Sequence, residues 1–440
     1  MGAGKSTLGA EVAERLGRPF FDIDREIETA HGEIWDLFAQ QGEDAFREME
    51  ARFVRDTCSR REPSVIAVGG GAVETRELLT DADALVVQLD VDVETAWARV
   101  RGSRRPLAGD EQEFRRRFEL RQPLYAHVAH AHTTDVEGVV LAAAGIRFGP
   151  HRDVHGDAIV ADEHVADLHG ITAAHLVPAG EQAKTRSEAE RLWRALRVDR
   201  DSTIVAVGGG STTDVVGFVA ATYLRGVDWI AVPSTLLGQV DAAIGGKTAI
   251  DLPEGKNLVG AFHWPEAVVI DHALLATLPQ GELENGRAEV VKTGLLAGEP
   301  LWELALDEQV RRAAAFKAAV CLRDPRDRGE RAQLNLGHTF AHALEAASGF
   351  TLPHGRAVAL GLLASLRLSG LDEQLRVVED LLGPRPVAVD RDVAWEALMR
   401  DKKGRDGRPR VVLLDALGAP RSDVELDPKD VRAALDALIE

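Results

Sequence analysis

Short aliphatic runs alternate with polar, helix-period stretches along the first third of the chain. Val65–Val68 and Leu85–Leu89 are too short for buried helices and read as buried parallel strands. The stretch 142–157 shows no period and holds Gly145, Gly149, Pro150 and Gly156, which places a junction at 145–157. A second series of strand candidates follows at Ala158–Ala161, His175–Pro178, Thr203–Val207, Ile230–Val232 and Val268–Ile270. From Leu283 onward Ala and Leu recur at helical spacing, with few strand signals before Val411–Leu414. The pattern predicts an α/β protein. A parallel sheet with helices on both faces is expected over 1–144, an α/β lobe over 158–271, and a mainly helical lobe over 272–440. Val-Gly-Gly-Gly occurs at Val68–Gly71 and again at Val207–Gly210, but the flanks differ, so these are two independent glycine turns after strands.

Length and charge sharpen the picture. At roughly 150 residues per domain, 440 residues suggest about three domains, with length for more than one core. The 52 Lys+Arg against 71 Asp+Glu leave a net charge of −19, which argues against a general nucleic-acid binder. Basic clusters inside pockets remain compatible with it. With 45% hydrophobic and 28% charged residues the chain is of ordinary globular make-up, neither disordered nor fibrous. Cys58 and Cys321 stand far apart with no CxxC spacing, which excludes a disulfide framework or a thiolate zinc site and suits a reducing cytoplasm. No apolar run reaches ~18 residues and no signal pattern opens the chain, so neither a membrane span nor export is expected.

The first chemical constellation is the back end of a phosphate loop. In Gly2-Ala3-Gly4-Lys5-Ser6-Thr7 the glycines let backbone N–H groups curl around an anion at a helix N-terminus. Lys5 would reach the terminal phosphates of ATP and the Ser6 hydroxyl would ligate Mg²⁺. Phe21-Asp22-Ile23-Asp24, Gly42 to Glu50, Gly69-Gly70-Gly71, Arg105-Pro106-Leu107 and Arg121-Gln122-Pro123-Leu124-Tyr125 follow in order. The series resembles shikimate kinase over residues 1–144. The resemblance implies that Asp24, Arg47, Gly70, Gly71 and Arg121 hold shikimate, with Asp24 positioning the attacking hydroxyl. Two arginines suit its carboxylate, because a guanidinium fork matches carboxylate oxygens. Gly2, Gly4, Lys5, Ser6 and Thr7 would hold Mg²⁺-ATP, Asp22 would lie on the metal side, and Arg105 would fall in the closing lid. The strand and further glycine that precede such a loop are missing before Met1. The expectation is a true start upstream, or a weak or inactive kinase if translation begins at Met1.

The second constellation starts with Gly180-Glu181-Gln182-Ala183-Lys184-Thr185. Gly208-Gly209-Gly210-Ser211-Thr212-Thr213-Asp214 then follows a strand, a generic seat for a dinucleotide pyrophosphate. The run from Pro233 to Thr248 and Gly255-Lys256-Asn257 come next. Glu289 and Lys292 share a helix face, as do His338 and His342, and His354 follows in Pro353-His354-Gly355. One carboxylate and two imidazoles suit Zn²⁺ with an open position. Together these motifs resemble 3-dehydroquinate synthase from about Ile159 to Lys403. The resemblance implies NAD and a divalent metal, Zn²⁺ or Co²⁺, on Glu289, His338 and His354. It places Asp241, Lys247, Lys292, Lys317, Arg331, Asn335, His342 and Lys402 or Lys403 around the substrate. It gives NAD to Asp162, Glu181, Lys184, Gly209, Gly210, Asp214, Thr235, Lys256 and Asn257.

The expected protein is thus a cytoplasmic shikimate-pathway fusion acting on heptulosonate phosphate, shikimate and ATP. Neither nucleic acid nor membrane is an expected partner, and a homodimer through the synthase part is one possible assembly. A metal- and NAD-dependent polyol dehydrogenase shares the glycine turn and histidine helix, but a neutral alcohol needs no lysine set. A sister sugar-phosphate cyclase shares most motifs, and the kinase half could be a non-catalytic docking module. Three departures stand out: Arg356 replaces the usual Glu after His-Gly, the opening hairpin is eroded between Gly145 and Asp157, and the segments 165–175 and 289–338 are shortened.

Overall fold

Glycine-rich loop and helix adjoin at the start of the chain: Gly4 caps α1 (Lys5–Leu16) at φ 88°, and Gly9, Val12, Ala13 and Leu16 form its buried face. In the computed structural model, residues 2–103, 109–401 and 408–440 are described, and the chain divides into two units, Met1–Ala143 and Ala144–Glu440. The first unit continues through β1 (Phe20–Asp22), α2 (Ile23–His31), α3 (Ile34–Cys58), β2 (Val65–Ala67) and α4 (Arg76–Thr80). It ends with β3 (Val87–Leu89), α5 (Val93–Val100), α6 (Glu111–Val128), β4 (Ala131–Thr133) and α7 (Val136–Ala143).

The strands of this unit form two parallel pairs, β1 with β2 and β3 with β4. Among the described residues no ladder joins one pair to the other. The free side of each pair opens on the same cavity of about 2180 Å³, lined by Val65–Val68, by Val86–Leu89, and by Val12 and Leu16 of α1. Backbone N–H and C=O groups along a strand edge demand partners. The two pairs thus leave a slot with a strand edge on either side. One apolar cluster gathers Ile23, Ile27, Phe46 and Val54, and another gathers Ala96, Val100, Phe114 and Phe118.

The second unit opens with β5 (Ile146–Phe148), β6 (Ala158–Asp162), α8 (Glu163–His169), β7 (His175–Val177), α9 (Arg186–Ala195), β8 (Thr203–Gly208) and α10 (Gly210–Thr222). The strands β9 (Asp228–Pro233), β10 (Lys247–Leu252), β11 (Gly255–Phe262) and β12 (Ala267–Ile270) complete its α/β part. Six strands lie in the order β5-β12-β9-β8-β6-β7, all paired in parallel. β10 and β11 form a separate antiparallel hairpin. Part of the period-less stretch is a strand after all: β5 pairs with β12, yet only Ile146 of its three residues is buried, so it carries no apolar run. The helical part comprises α11 (Gln280–Ala297), α12 (Leu306–Arg323), α13 (His338–Ala347), α14 (His354–Ser369), α15 (Asp372–Leu382) and α16 (Arg391–Asp401). A hairpin of β13 (Arg410–Ala416) and β14 (Ala419–Glu425) and then α17 (Pro428–Asp436) end it. Its core is aliphatic, with Leu336, Phe340, Leu344, Val358 and Leu362 all buried. Among the described residues no helix is long and apolar enough to cross a membrane.

The slot makes a prediction about stability. A short aliphatic segment joined ahead of Gly2 should pair with both free edges, at about 1 kcal/mol net per hydrogen bond. Calorimetry should then show the melting temperature of the first unit rising by about 5 °C or more, while a Gly-Ser segment of the same length leaves it in place. Equal shifts for the two extensions would contradict the slot.

Candidate active sites

In the second unit, α11, α13 and α14 bring three ligand-type side chains to one point. Glu289 is fully buried in α11, His338 opens α13 and His354 opens α14. Their ligand atoms all lie within 4.8 Å of one another. Glu289 Oε1 is 3.3 Å from His354 Nε2 and 3.4 Å from His338 Nε2. Two imidazole nitrogens and a carboxylate oxygen facing one point are the donor set of an open zinc-type site, so these residues fit the divalent metal. The Lys292 ammonium, one turn along α11, contacts the same carboxylate.

Burial opposes charge on Glu289, but Lys292 and His338 outweigh it and hold the carboxyl well below its ordinary range. Burial and Lys292 push His338 down to about 4, so its ring is neutral and free to donate a lone pair. Burial also works against the His354 cation, but hydrogen bonds to Glu289 and Glu345 prevail and raise it to about 10. The departure at Arg356 leaves this cluster alone, because its guanidinium donates to the carbonyls of Arg385 and Pro386 at 3.3 Å each.

A second, half-buried ion pair adjoins the first. Lys317 of α12 donates to the carboxylate and the carbonyl oxygen of Asp241, each at 2.6 Å. Asp241 sits on a π-helical turn, Gly238–Ala242. Gln239 anchors that turn from inside, donating to the carbonyls of Pro233 and Asp271 at 3.1 Å. Burial raises the Asp241 carboxyl, but Lys317 and Lys292 together bring it below its ordinary value. Arg331 is buried and donates to the Gly245 carbonyl at 2.9 Å. A Cβ at Gly245 would stand 2.5 Å from that guanidinium on a backbone of φ 96°, so only glycine fits. Lys247 is exposed and pairs with Asp327. Asn335 is half-buried just ahead of α13, and His342 is exposed one turn beyond His338, with ring centroids 5.4 Å apart. Lys402 and Lys403 lie outside the described residues.

The dinucleotide residues also assemble. Gly209 caps α10, and a Cβ there would meet the Thr235 methyl at 3.1 Å. Thr235 therefore packs directly on the glycine, and the N–H groups that open α10 are of the kind that fits a pyrophosphate. Lys184 is buried and donates to Asp214 at 2.8 Å and to Asn257. Burial lifts the Asp214 carboxyl to about 6 despite that lysine. Glu181 accepts from Ser211 at 3.0 Å and lies 3.7 Å from Lys256. Asp162 is used locally, capping α8 through His164 and Val165. Asp251, which the motifs do not single out, ties the group together: it accepts from the Asn257 N–H at 2.8 Å and lies 3.8 Å from Lys184.

In the first unit, Lys5 bonds Asp24 at 2.9 Å and Asp22 at 3.3 Å. Burial raises the Asp22 carboxyl, but the Ser6 hydroxyl and Lys5 bring it below its ordinary value. That pairing of Ser6 with Asp22 suits a Mg²⁺ ion beside the loop. Arg47 bonds Glu50 at 2.6 Å and Glu43 at 3.1 Å, and Arg121 bonds Glu74 at 3.1 Å. Nε of Arg47 and Nη2 of Arg121 are buried without a hydrogen-bond partner. Both guanidinium groups face Glu74, Arg47 Nε at 3.7 Å, and N–H groups left without a hydrogen bond in this way fit an anion. A Cβ at Gly71 would fall 2.1 Å from Arg47, so glycine leaves the guanidinium its position. The Gly70 carbonyl accepts from Tyr125 at 2.6 Å. Gly2, Gly4, Thr7, Asp24, Arg47, Gly70, Gly71 and Arg121 line one cavity. Arg105 lies outside the described residues.

Comparison with known proteins agrees with both constellations. The shikimate kinase family model matches residues 1–142, and those of the N-terminal and C-terminal parts of 3-dehydroquinate synthase match 174–285 and 286–404. A 3-dehydroquinate synthase of Symbiobacterium thermophilum is 41% identical over 64% of this chain and 90% of its own. The solved 2-epi-5-epi-valiolone synthase of Streptomyces hygroscopicus, with NAD⁺ and Zn²⁺ bound, is 26% identical at a TM-score of 0.60. It covers 67% of this chain and 96% of its own. The bifunctional shikimate kinase/3-dehydroquinate synthase of Thermotoga maritima is 34% identical and covers 99% of this chain and 98% of its own. A likeness that runs through both units in the same order makes this chain a member of the bifunctional shikimate kinase/3-dehydroquinate synthase family.

Proposed function

We propose that the second unit converts 3-deoxy-arabino-heptulosonate 7-phosphate into 3-dehydroquinate and phosphate with NAD and a divalent metal, Zn²⁺ or Co²⁺. The first unit, on the same reading, transfers a phosphoryl group from Mg²⁺-ATP to shikimate, giving shikimate 3-phosphate. The convergence of Glu289, His338 and His354 beside the buried Lys292 and Lys317 carries the reading of the second unit. A metal ion held by those three would supply Lewis acidity toward neighbouring hydroxyls, and NAD at the start of α10 would supply a reversible hydride acceptor.

The chain's own residues supply charge and position. Lys247, Lys292, Lys317, Arg331 and Lys402 or Lys403 would neutralise the carboxylate and phosphate of the substrate within a chain of net charge −19. Asp241, anchored by Lys317, would orient ring hydroxyls together with Asn335. His342, exposed beside His338, would relay a proton as phosphate leaves by β-elimination. Ring opening and intramolecular aldol closure then need mainly the correct fold of the substrate chain. The net reaction would be loss of phosphate with no net change of oxidation state. A polyol dehydrogenase would have no use for the cations around a neutral alcohol. The 41% identity to a 3-dehydroquinate synthase supports that substrate over those of sister cyclases.

In the first unit Arg47 and Arg121 would take the shikimate carboxylate on their unpaired N–H groups. Lys5 would turn from Asp22 and Asp24 toward the phosphates, leaving Asp24 to orient the attacking hydroxyl. Phosphoryl transfer asks for this positioning and charge neutralisation.

Two assays test the reading. With the sugar acid phosphate, NAD⁺ and Zn²⁺, the full chain should release phosphate with no net NADH; NADH accumulation, or no release from metal-loaded protein, would overturn the synthase reading. Arg121→Lys loses the bidentate fork and should raise the KM for shikimate about tenfold or more while the KM for ATP stays within about twofold. Equal changes in both, or none, would count against Arg121 as a carboxylate ligand.

A further inference from the structure

Beside the proposed metal site stands one buried carboxylate with no role in the chemistry above. Glu345 lies seven residues after His338 on α13, is 6% exposed, and brings Oε1 to 3.1 Å from His354 Nδ1. The other nitrogen of the same ring, Nε2, faces Glu289 at 3.3 Å. The His354 imidazole is thus held between two carboxylates, one inside the ligand cluster and one behind it. The connection from α13 to α14 is also tied to Glu345. Its carbonyl accepts from the Ser348 hydroxyl at 2.8 Å and from the Phe350 N–H at 2.7 Å. The Ser348 hydroxyl in turn accepts from the Leu352 N–H at 3.2 Å. On the far side, the Gly355 N–H donates to Asn285 of α11 at 3.0 Å. His354 therefore enters α14 from a fixed loop, and its ring plane is set by Glu345.

We propose that Glu345 is a positioning residue for the metal site: it accepts the Nδ1 proton of His354 and so presents the Nε2 lone pair to the ion. A ligating imidazole needs its other nitrogen protonated and engaged, which fixes the tautomer and raises the ligand's basicity. His338 turns its Nδ1 to the Leu336 carbonyl of its own segment at 3.2 Å, whereas the Nδ1 of His354 depends on a carboxylate from a neighbouring helix. The proposal rests on the reading of Glu289, His338 and His354 as metal ligands.

The test compares full-length wild type, Glu345→Ala, Glu345→Gln and Glu289→Gln. Zinc affinity is read by competition with a chromogenic chelator, the Co²⁺ visible absorption reports ligand geometry, and the melting temperature is taken without metal. Loss of a partner of this kind weakens binding about 10–100-fold. Glu345→Ala should fall in that range with an altered Co²⁺ spectrum, and Glu345→Gln, which keeps an acceptor without the charge, should fall between it and wild type. Wild-type zinc affinity and an unchanged Co²⁺ spectrum in both Glu345 variants would overturn the proposal. So would a lowered metal-free melting temperature with zinc affinity intact, the mark of a merely structural role. If wild type binds zinc no more tightly than Glu289→Gln, the metal site itself fails and the proposal with it.

Discussion

Two ion pairs set in series, one buried and one half-buried, tie the helices of the second unit to its site. Lys317 of α12 grips Asp241 on the π-helical turn, and Lys292 grips Glu289 within α11. Asp241 and Lys292 feel each other strongly enough to stabilise both charges. Taking such charges out of water costs several kcal/mol each, repaid only when partners are well placed, and removing one partner costs about 3–5 kcal/mol. The fold cannot move α11, α12 or the turn independently without exposing an unpaired buried charge. These groups are also the ones the proposed chemistry needs. A cation that now faces a protein carboxylate can face a substrate anion, and a carboxylate that now faces a lysine can face a metal.

The first unit is governed by a different constraint, backbone pairing. The residues expected to meet anions come from the start of α1, the end of β2, and from α3 and α6, and they line one cavity even though β2 and β3 each keep an open edge on it. Short local contacts explain how. Asp22 caps α2 while receiving Lys5, and Arg99 of α5 donates to the Gly2 carbonyl at 3.2 Å. The loop is thus seated from two sides without help from a central strand. Arg47 and Arg121 converge on Glu74 from α3 and α6.

Periodicity and spacing made the main strands and the site helices legible. The aliphatic cores of β6, β8, β9 and β12 read directly as strands. The i,i+3 and i,i+4 spacings of Glu289 with Lys292 and His338 with His342 are enough to put each pair on one helix face. Elements without an aliphatic run were not legible. β1, β4 and β5 have three residues each, and β11 is largely exposed, so none carries an apolar alternation. Asp251 and Asp327 act through Lys184 and Lys247, distant in sequence, and no local motif marks them. Glu345 offered a faint signal, a single carboxylate in the apolar run Ala343–Ala347, two turns beyond His338. The junction shows the limit most plainly: glycines hid a strand whose evidence lies in β12, more than a hundred residues away.

The central claim is that α11, α13 and α14 together form one metal site. Anomalous diffraction at the zinc edge, from crystals of the full chain grown with Zn²⁺, tests it most directly. One strong peak is expected in the second unit, bonded to Glu289 Oε1, His338 Nε2 and His354 Nε2. An ion bound elsewhere in that unit, or none on these three residues in zinc-saturated crystals, would contradict it.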